Sequence, residues 1–572
     1  MADSKSIIEG TGVESNDNTI TINAGGTYYI KGSISDASIV IDASKDEDVQ
    51  LVLDNCSITS LKSSVINGVK CNKLTITLAD NSENTLTDNS NYTVFTDTED
   101  SEPNGTLFTK SDLVINGNGK LIINANYEDG IVSKDGLKII NANIEVISAD
   151  DGIKGKDYVA INNATLNIKS TGDGIKSTNS SDQELGYIAI EGGNITINSK
   201  EDGIQAETII KISSAPELNI TTTGNVTSSS NSNFGKGNFN SNSTDNDVSS
   251  KGIKAGTKIE IEDGTYNITS TDDSIHSNGV IVINNGKFNL SSGDDGIHAD
   301  TSITINDGEI NITKSYEGIE SSYIEINSGK ISLVSSDDGI NVSDGSSSSM
   351  QNGRMDFNEN KNSNLKLVIN GGEIEVNVNG DGLDSNGSIY INGGTTIVCG
   401  PTSNGDAPLD YDGEFIIKGG TLIAYGSAGM WQNPSSSSTQ YSVVFQTSGK
   451  SGDNIVLKDT SGNELISVNA QKDYSAVIIS DTNIKSGEEY TLYVNNSNIE
   501  SITVNDIIST NSNLTNSNGM QPGGMKPNAN MEENNEFKND NEMRSDGNGD
   551  FNSEMQQNGM TPPNEGERRN RN

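Results

Sequence analysis

The sequence predicts an all-β protein whose main body is a parallel β-helix with about 22 residues in each coil. The first observation is a four-residue motif of the form acid–acid–Gly–Ile that recurs along the chain. The second is that the residues between the motifs form short runs of alternating apolar and polar residues, separated by Gly, Asn and Asp. Such runs are typical of strands and turns, and none is long enough for an amphipathic helix.

The motif sets the period of the body. Its copies and close variants begin at residues 128, 150, 172, 201, 250, 272, 294, 316, 337 and 380. Six of the nine steps between them are 21 or 22 residues, and the longest steps contain low-complexity inserts. Leucine-rich repeats have similar periods, but their Leu and Asn consensus is missing, and a β-propeller needs a period of about 40 residues.

Composition divides the chain into a lead, a body with two inserts, a small C-terminal subdomain and a tail. The inserts and the tail are rich in Asn, Gly, Ser and Met and lack an aliphatic pattern, so we expect them to be disordered. The predicted organisation is a flexible lead at 1–17, a β-helix with N-terminal cap coils at 18–432, disordered inserts at about 221–250 and 343–364, a small antiparallel β cap at 440–507, and a disordered tail at 509–572.

Charge excludes one class of partner. The formal net charge is −43, and the tail carries ten acids against six bases, so nearly all of the acidity belongs to the body. A protein that binds nucleic acid through a basic face is excluded, because phosphate contacts need clustered Lys and Arg. No apolar run is long enough to span a membrane. The three cysteines (Cys56, Cys71 and Cys399) are too few for a disulfide framework and are expected to be free and buried.

The repeat places acidic residues in columns, because equivalent positions of stacked coils lie about 4.8 Å apart. The position two before the aliphatic residue is acidic in nine of ten coils: Asp129, Asp151, Asp173, Asp202, Lys251, Asp273, Asp295, Glu317, Asp338 and Asp381. The position before it adds Glu128, Asp150, Glu201, Asp272, Asp294 and Asp337. The result is a set of paired carboxylates on one corner of the predicted coils.

Such columns should hold protons or recruit cations, since carboxylates roughly 5 Å apart repel by roughly 3 kcal/mol at an effective dielectric constant of roughly 20. Calcium fits, because it takes about six to eight oxygen ligands in flexible geometry. The alternative is that Asp-Gly recurs only as favourable turn chemistry, although a turn does not need two acids. The predicted calcium ligands are Asp150, Asp151, Asp173, Asp202, Asp272, Asp273, Asp294, Asp295, Asp337, Asp338, Asp381 and Asp384.

The position after the aliphatic residue forms a third column, which runs from basic to acidic: Val132, Lys154, Lys176, Gln205, Lys254, His276, His298, Glu320, Asn341 and Asp384. The only two histidines of the chain, His276 and His298, are 22 residues apart and therefore neighbours in it. They could form a two-His transition-metal site, but a solvated ladder beside the acids is the preferred interpretation. Lys154 and Lys176 are expected to neutralise carboxylates rather than to act as catalytic bases.

These columns, with GGTLIAYGSAGMWQNPSSSSTQ at 419–440 and closing strands through YTLYVN at 490–495, resemble a clostridial-type family of secreted carbohydrate-binding proteins with a right-handed parallel β-helix. The resemblance covers roughly residues 19–505. It implies calcium binding, attachment to cellulose and acidic pectic polysaccharides, and structural similarity to pectate lyases.

Pectate lyases carry an Asp-Asp-Gly-x-Asp calcium corner that an Asp of the preceding coil completes. Asp294, Asp295 and Asp273 match three of those four places, and Asp337 with Asp338 also matches the pair. At the position of the final Asp these two copies have His298 and Asn341. A third copy has Asp384 at that position, but Gly380 replaces the first Asp of its pair. The resemblance therefore supports a calcium site better than a catalytic site.

The preferred functional hypothesis is a monomeric, extracellular or cell-surface protein that binds plant cell-wall polysaccharide, either cellulose or acidic pectin. Weak carboxylate calcium sites fill at extracellular calcium concentrations, so we expect an export signal that MADSKSIIEG does not supply. Because an acidic body repels polygalacturonate, calcium should bridge the two. A neutral glucan would need exposed aromatic residues, for which Tyr316, Tyr323 and Trp431 are the candidates.

Two other classes remain open, an enzyme (a lyase or a hydrolase) and a structural adhesin. A calcium-dependent pectate lyase needs a base, and because Arg354 lies in an insert and the other arginines lie in the tail, that base would be Lys154, Lys176 or Lys254. A hydrolase with paired carboxylates is also possible, since the sequence singles out no pair. The last class is a structural adhesin whose repeat serves only as a rigid stalk.

Overall fold

The computed structural model describes residues 9–98, 101–224, 249–344 and 364–511, all of which belong to one compact unit, Met1–Gly519. These residues form β-strands joined by turns and bends, without a helix, which confirms the predicted all-β class. In this part of the chain no helix is therefore long and apolar enough to cross a membrane.

The motif strands form one sheet. Its pairs are parallel, except that its first strand is antiparallel to its second. In the described residues its sixteen strands are Val13–Asn16, Thr19–Ile22, Ser38–Asp42, Ile66–Lys70, Gly105–Thr109, Asp129–Ser133, Ile153–Gly155, Ile175–Ser177, Ile204–Ala206, Ile253–Ala255, Ile275–Ser277, Ile297–Ala299, Ile319–Ser321, Ile340–Val342, Leu383–Ser385 and Leu409–Tyr411.

The remaining strands of the coils belong to a second sheet, in which each strand of the body pairs in parallel with its equivalents in the coils before and after it. Its described strands are Gly26–Ile34, Asp48–Thr59, Lys73–Leu78, Glu83–Thr87, Asp112–Gly117, Lys120–Ala125, Gly136–Ile140, Asn143–Ser148, Tyr158–Lys169, Tyr187–Ser199, Ile209–Ser213, Glu217–Thr222, Lys258–Ile261, Thr265–Thr269, Val280–Ile283, Lys287–Ser291, Ser302–Ile305, Glu309–Lys314, Tyr323–Ile326, Lys330–Ser335, Lys366–Ile369, Glu373–Val378, Ser388–Ile391, Thr395–Cys399, Phe415–Ile417, Thr421–Gly426, Ser442–Phe445, Ala476–Asp481 and Ile508–Thr510.

The register of the motif sheet turns the sequence repeat into columns. The aliphatic residue of each motif pairs with the aliphatic residue of the next, and the column also runs back through the N-terminal coils: Ile20, Ile39, Ile66, Leu107, Ile131, Ile153, Ile175, Ile204, Ile253, Ile275, Ile297, Ile319, Ile340, Leu383 and Leu409. Equivalent side chains therefore stack, as the repeat predicts.

Each coil contributes to the core from its different strands. In the coil that begins at Ile153, the side chains of Ile153, Ile161 and Ile168 are at most 1% exposed. Burying such a side chain stabilises the fold by about 1.5–3 kcal/mol relative to leaving it in water, and the coils repeat this gain along the stack. The three cysteines are buried and free, as predicted, and burial raises the pKa of Cys56 to about 12.

The glycine of the motif is required by a close approach. A Cβ on Gly152 would lie 2.5 Å from Ile168 Cγ2 and 2.6 Å from the carbonyl oxygen of Gly174 in the next coil. Left-handed backbone occurs instead at another corner, where Gly286 and Gly308 have φ values of +134° and +122°. Glycine therefore serves a left-handed backbone at that corner and a close approach within the motif.

A substitution at a motif glycine should destabilise the coil stack. In Gly339→Ala the new methyl group would lie 2.4 Å from Val376 Cγ1 and 2.5 Å from the carbonyl oxygen of Gly382. We expect a loss of about 1–3 kcal/mol, because overpacking forces neighbouring groups to shift. The measurement is the midpoint of chemical denaturation. Gly405→Ala is the matched control, since a Cβ there would meet nothing within 4 Å, and equal midpoints for the two variants would contradict the packing argument.

The C-terminal strands extend the last coil and then form a smaller sheet. Ala476–Asp481 pairs antiparallel with both Thr421–Gly426 and Ser442–Phe445. An antiparallel sheet of four strands follows, in the order Glu464–Asn469, Asn454–Asp459, Glu489–Val494 and Ser497–Thr503. Its apolar residues pack with Cys399 and Tyr425 of the coil region in a second core, so the strands predicted at 440–507 are present.

The structure changes two predicted boundaries. The interval predicted as a flexible lead contains the strand Val13–Asn16, because its backbone pairs with Thr19–Ile22. Ile508–Thr510, part of the predicted tail, pairs in parallel with Ser442–Phe445. Residues 225–248, 345–363 and 512–572 lie outside the described residues, and so do most of the two predicted inserts and the tail.

Candidate functional site

The acidic corner of the coils consists of three columns, which we name by their positions. The inner column is the second acidic position of the motif: Asp129, Asp151, Asp173, Asp202, Lys251, Asp273, Asp295, Glu317, Asp338 and Asp381. The outer column is the position before it, with Glu128, Asp150, Glu201, Asp272, Asp294 and Asp337 as its acids. The flanking column follows the aliphatic residue, and its register pairs run from Val132 through Lys154, Lys176, Gln205, Lys254, His276, His298, Glu320, Asn341 and Asp384 to Asp410.

Six of the ten inner-column residues are buried, and the other four are half-buried. Asp151, Asp173 and Asp202 are 1–2% exposed. Their Oδ1 atoms accept hydrogen bonds from the backbone N–H groups of the equivalent residues in the next coil, Asp173, Asp202 and Lys251, at 2.9, 2.8 and 2.7 Å. Asp129, Asp273, Asp295, Asp338 and Asp381 accept from the next coil in the same way.

This hydrogen-bond ladder gives the inner acids a structural role that turn chemistry alone does not describe. Each acid satisfies a backbone N–H that the corner would otherwise leave buried without a partner. The second carboxylate oxygen, Oδ2, takes no part in this ladder, and an unpaired charge on it is costly where the side chain is buried. A cation beside Oδ2 would remove that cost.

In the first half of the corner, lysines supply that cation. Lys154 Nζ lies 2.7 Å from Asp151 Oδ2 and 3.3 Å from Asp129 Oδ2, and Lys176 Nζ lies 2.6 Å from Asp173 Oδ2. Lys254 Nζ lies 3.3 Å from Asp202 Oδ2. This confirms that Lys154 and Lys176 pair with carboxylates.

The inner-column exception, Lys251, has the same role. Its Nζ lies 2.8 Å from Asp272 Oδ1 and 2.7 Å from Asp273 Oδ2. The sequence pattern marks Lys251 as a departure, but its two carboxylate partners are recognisable only in the folded chain. We call the part of the corner from Asp129 to Asp273 the basic half.

The lysines of the basic half are held in their charged form. Burial lowers the pKa of Lys154, but the charges of Asp129 and Asp151 outweigh this, so its pKa is above the ordinary value. Burial likewise lowers the pKa of Lys176, but the charges of Asp173 and Asp151 outweigh this effect, so the pKa of Lys176 is also raised. A catalytic base must be neutral to take a proton, so these contacts oppose the lyase hypothesis at both residues.

The corner loses its cations toward the C-terminus. We define the acidic half as Glu317, Asp337, Asp338, Asn341, Asp381, Asp384 and Asp410. In the described part of the chain its acids form no ion pair with Lys or His. Burial, then the neighbouring acids, raises the pKa of Glu317 to about 9 and those of Asp338 and Asp381 to about 7. The pKa of Asp384 is well above its ordinary value for the same reasons.

One buried acceptor in the acidic half lacks a donor. Asn341 is 7% exposed, and its Nδ2 donates to Glu317 Oε2 at 2.8 Å. Its Oδ1 is buried without a hydrogen-bond partner. Asn341 lies between Glu320 and Asp384 in the flanking column, so acids occupy both neighbouring positions. A bound cation would satisfy Oδ1.

The predicted calcium ligands come together in several groups. Three ligand atoms within 4.8 Å of one another are offered by Asp129, Asp150 and Asp151, and by Asp272, Asp273 and Asp294. Of the lyase-like corner, Asp273 and Asp294 offer ligand atoms within 4.8 Å of each other, whereas Asp295 Oδ2 lies 2.9 Å from His298 Nδ1. Asp173 and Asp202 belong to the lysine-paired ladder, and Asp337, Asp338, Asp381 and Asp384 belong to the acidic half.

The two histidines are not the solvated ladder that the sequence favours. Their side chains are only 13% and 24% exposed, and the Nδ1 of each faces a carboxylate of the inner column. The ring centroids lie 4.9 Å apart. The histidines are largely shielded from water because the flanking column packs over the buried acids.

The aromatic candidates differ in what they can offer to a sugar ring. The prediction that Trp431 stacks on a sugar ring is wrong, because Trp431 is 2% exposed and its Nε1–H donates to Asn433. Tyr316 and Tyr323 are half-buried, and their hydroxyl groups lie against Asp337 and Glu325. Tyr316 therefore sits beside the acidic half, whereas Trp431 belongs to the core.

Sequence reasoning missed several members of the corner. Asp410 continues the flanking column in a further coil, and the signal was Leu409, which continues the aliphatic column after a longer step. Glu317 and Asn341 were noted in the columns but not as ligands. Asp406 contributes to the raised pKa values of Asp338 and Asp381 although it lies outside the repeat.

Comparison with known proteins places the chain in a family. A family model described as carbohydrate-binding domain-containing protein matches residues 16–296. A carbohydrate-binding domain-containing protein of Acetivibrio thermocellus is 43% identical over 204 residues, which cover 36% of this chain and 71% of that protein. A solved structure described as a polysaccharide lyase-like protein from C. thermocellum, in a gadolinium derivative, is 33% identical and covers 38% of this chain and 87% of that one, with a TM-score of 0.36. The chain belongs to the family of carbohydrate-binding domain-containing proteins.

Proposed function

We propose that the protein is an extracellular polysaccharide-binding protein whose acidic half holds calcium, and that the calcium takes part in binding. Membership of a carbohydrate-binding family supports the first part. The observation that carries the second part is the change in the flanking column from Lys and His to Glu320, Asn341, Asp384 and Asp410. Beyond Glu320, which still contacts His298, the half-buried carboxylates of the acidic half have no Lys or His of the described chain beside them.

The donor set of the acidic half fits calcium. It consists of carboxylate and amide oxygens, which are the ligands that calcium prefers. The unpartnered Oδ1 of Asn341 is a further oxygen available to a cation. Calcium would also offset the mutual repulsion that holds the pKa values of Asp338 and Asp381 near 7. Among the twelve predicted ligands, Asp337, Asp338, Asp381 and Asp384 are therefore the ones we retain.

The basic half fits calcium less well. An ammonium group already lies within 3.3 Å of Asp129, Asp151, Asp202 and Asp273. A calcium ion there would have to displace a lysine from a buried carboxylate and leave the ammonium unpaired, which is costly. We therefore assign Asp150, Asp151, Asp173, Asp202, Asp272 and Asp273 to the folded scaffold.

A polyanion is the polysaccharide for which calcium matters most. At a net charge of −43 the protein repels polygalacturonate, and a divalent cation shared by carboxylates of both partners reverses that repulsion locally. Cellulose has no charge and would need the half-buried Tyr316 or Tyr323 instead. We also infer that the coils wind in the right-handed sense, since parallel strand connections are almost always right-handed.

The experiment is a sedimentation assay with insoluble polygalacturonate and with cellulose, each in calcium and in chelator. We expect chelator to release the protein from polygalacturonate and to leave any cellulose binding intact. Asp384→Asn should weaken only the calcium-dependent binding, and Asp46→Asn, at an exposed loop position, is the matched control. Polygalacturonate binding that survives in chelator would refute calcium bridging, and absence of binding to any polysaccharide would refute the proposed function.

A further inference from the structure

The two histidines form a second kind of site in the corner, at the junction of its two halves. His276 and His298 are register partners in adjacent coils. Ligand atoms of Asp273, His276 and His298 lie within 4.8 Å of one another, and so do those of Asp295, His298 and Glu320. His298 belongs to both groups, so one imidazole joins carboxylates of three coils.

From this geometry we propose that His276 and His298, with inner-column and flanking carboxylates, bind a divalent transition metal such as Zn²⁺. The nitrogen ligands distinguish this site from the oxygen-only acidic half, because imidazole suits zinc and calcium prefers oxygen. The site goes beyond the proposed polysaccharide binding and does not depend on it.

The separations suit a small tetrahedral ion. With metal–ligand bonds near 2.1 Å, two tetrahedral ligands lie about 3.4 Å apart. His276 Nδ1 lies 2.8 Å from Asp273 Oδ2, and His298 Nδ1 lies 2.9 Å from Asp295 Oδ2 and 3.3 Å from Glu320 Oε2. Small side-chain movements would therefore admit the ion without a change in the backbone.

The outer nitrogens are arranged as they are in many zinc sites. Metal-bound histidines usually donate the other ring N–H to an oxygen acceptor, which fixes the tautomer and the orientation of the ring. His276 Nε2 lies 2.9 Å from Asn278 Oδ1, and His298 Nε2 lies 3.4 Å from Asp300 Oδ1. The Nδ1 contacts with the inner carboxylates need a hydrogen on Nδ1; a metal ion would replace that hydrogen and leave each Nε2–H to donate to these acceptors.

Burial supports a built site rather than a chance surface cluster. The side chains of Asp273, Asp295 and His276 are 4%, 8% and 13% exposed. Lys251 shares Asp273 Oδ2 at 2.7 Å, so Asp273 is already partly neutralised. Asp295 and Glu320, which group with His298, are therefore the stronger carboxylate ligands, and His276 joins the site through its closeness to His298 and Asp273.

The test is a titration of the full chain with Zn²⁺ by calorimetry, and with Co²⁺ by visible absorption, in excess calcium so that oxygen-only sites are filled. We expect one saturable site and a Co²⁺ spectrum of tetrahedral type with nitrogen ligands. His276→Gln and His298→Gln should each weaken Zn²⁺ binding at least tenfold, while Gln205→Ala, in the same flanking column, should leave it unchanged.

A melting curve of each variant separates loss of the site from loss of the fold, and Glu320→Gln provides a second probe that keeps both histidines. Weakened binding in this variant would support its place among the ligands. Zinc binding that is abolished by calcium, or that is unchanged in both histidine variants, would overturn the proposal. So would the absence of a saturable site in the folded protein, which would leave the imidazoles as partners of the carboxylates alone.

Discussion

In the presence of chelator, the protein should lose stability as the pH rises from about 4 through about 7, and calcium should restore it. Burial raises the folded-state pKa values of Asp338 and Asp381 to about 7, from an ordinary value of about 3.8. Between these values the folded chain binds more protons than the unfolded chain, so the free energy of unfolding falls with rising pH. Each group contributes a loss of the order of a few kcal/mol, since one pKa unit corresponds to about 1.4 kcal/mol.

Calcium should act in the opposite direction. It binds the ionised carboxylates of the folded state, so its stabilising effect should grow as the pH rises through the same window. The measurement is a set of melting curves across this pH range, in chelator and in calcium. Asp381→Asn should flatten the pH dependence in chelator, because it removes one raised pKa but keeps an oxygen for the N–H of Ala407.

Asp46→Asn serves as the control, because that side chain is exposed in a loop. It should reproduce the profile of the unchanged protein. If Tm in chelator were constant between these pH values, or if calcium raised Tm equally at both ends, the acidic half would not be the source of the effect.

Asp151→Ala should destabilise the protein by about 3–5 kcal/mol, the cost expected when one partner of a buried ion pair is removed. Asp151 Oδ1 accepts the N–H of Asp173 at 2.9 Å, and its Oδ2 contacts the ammonium groups of Lys154 and Lys176 at 2.7 and 3.6 Å. Alanine would leave a buried N–H without an acceptor and two lysines with weaker partners. The measurement is the shift in the midpoint of chemical denaturation.

The matched control is Asp54→Ala, which removes an ion pair of similar length on the surface. Asp54 Oδ2 lies 2.9 Å from Lys31 Nζ, and the two side chains are 34% and 70% exposed. Surface pairs are worth at most about 1 kcal/mol, so this variant should shift the midpoint only slightly. Equal shifts for the two variants would show that burial of the inner column is not what makes its carboxylates important.

Several elements of the fold could be read directly from the repeat. The spacing from Ile131 to Ile153 and Ile175 predicted columns, and the register has those residues as partners. The flanking column was predicted residue by residue from Val132 to Asp384, because a strand that pairs in register with its copy maps a sequence period onto a line of neighbours. The strands of the C-terminal subdomain were also visible in their alternating apolar pattern.

The repeat could not show which way the column residues face. Asp151 and Trp431 are both buried, yet neither a carboxylate nor an indole carries a sequence signal for burial when its partners lie in other coils. The inner acids are explained by backbone N–H groups that lie 22 or more residues away, and Lys251 by two acids in the coil after it. Such contacts exist only after the coils have stacked.

The amino-acid pattern alone predicts the all-β class, the period and the three columns at the acidic corner, because in-register stacking preserves one-dimensional order. The folded chain is needed to see that lysines neutralise the basic half and that the carboxylates of the acidic half have no Lys or His partner in the described chain. Charge compensation depends on distances of a few ångströms between side chains of different coils, and a pattern of residue types does not contain those distances.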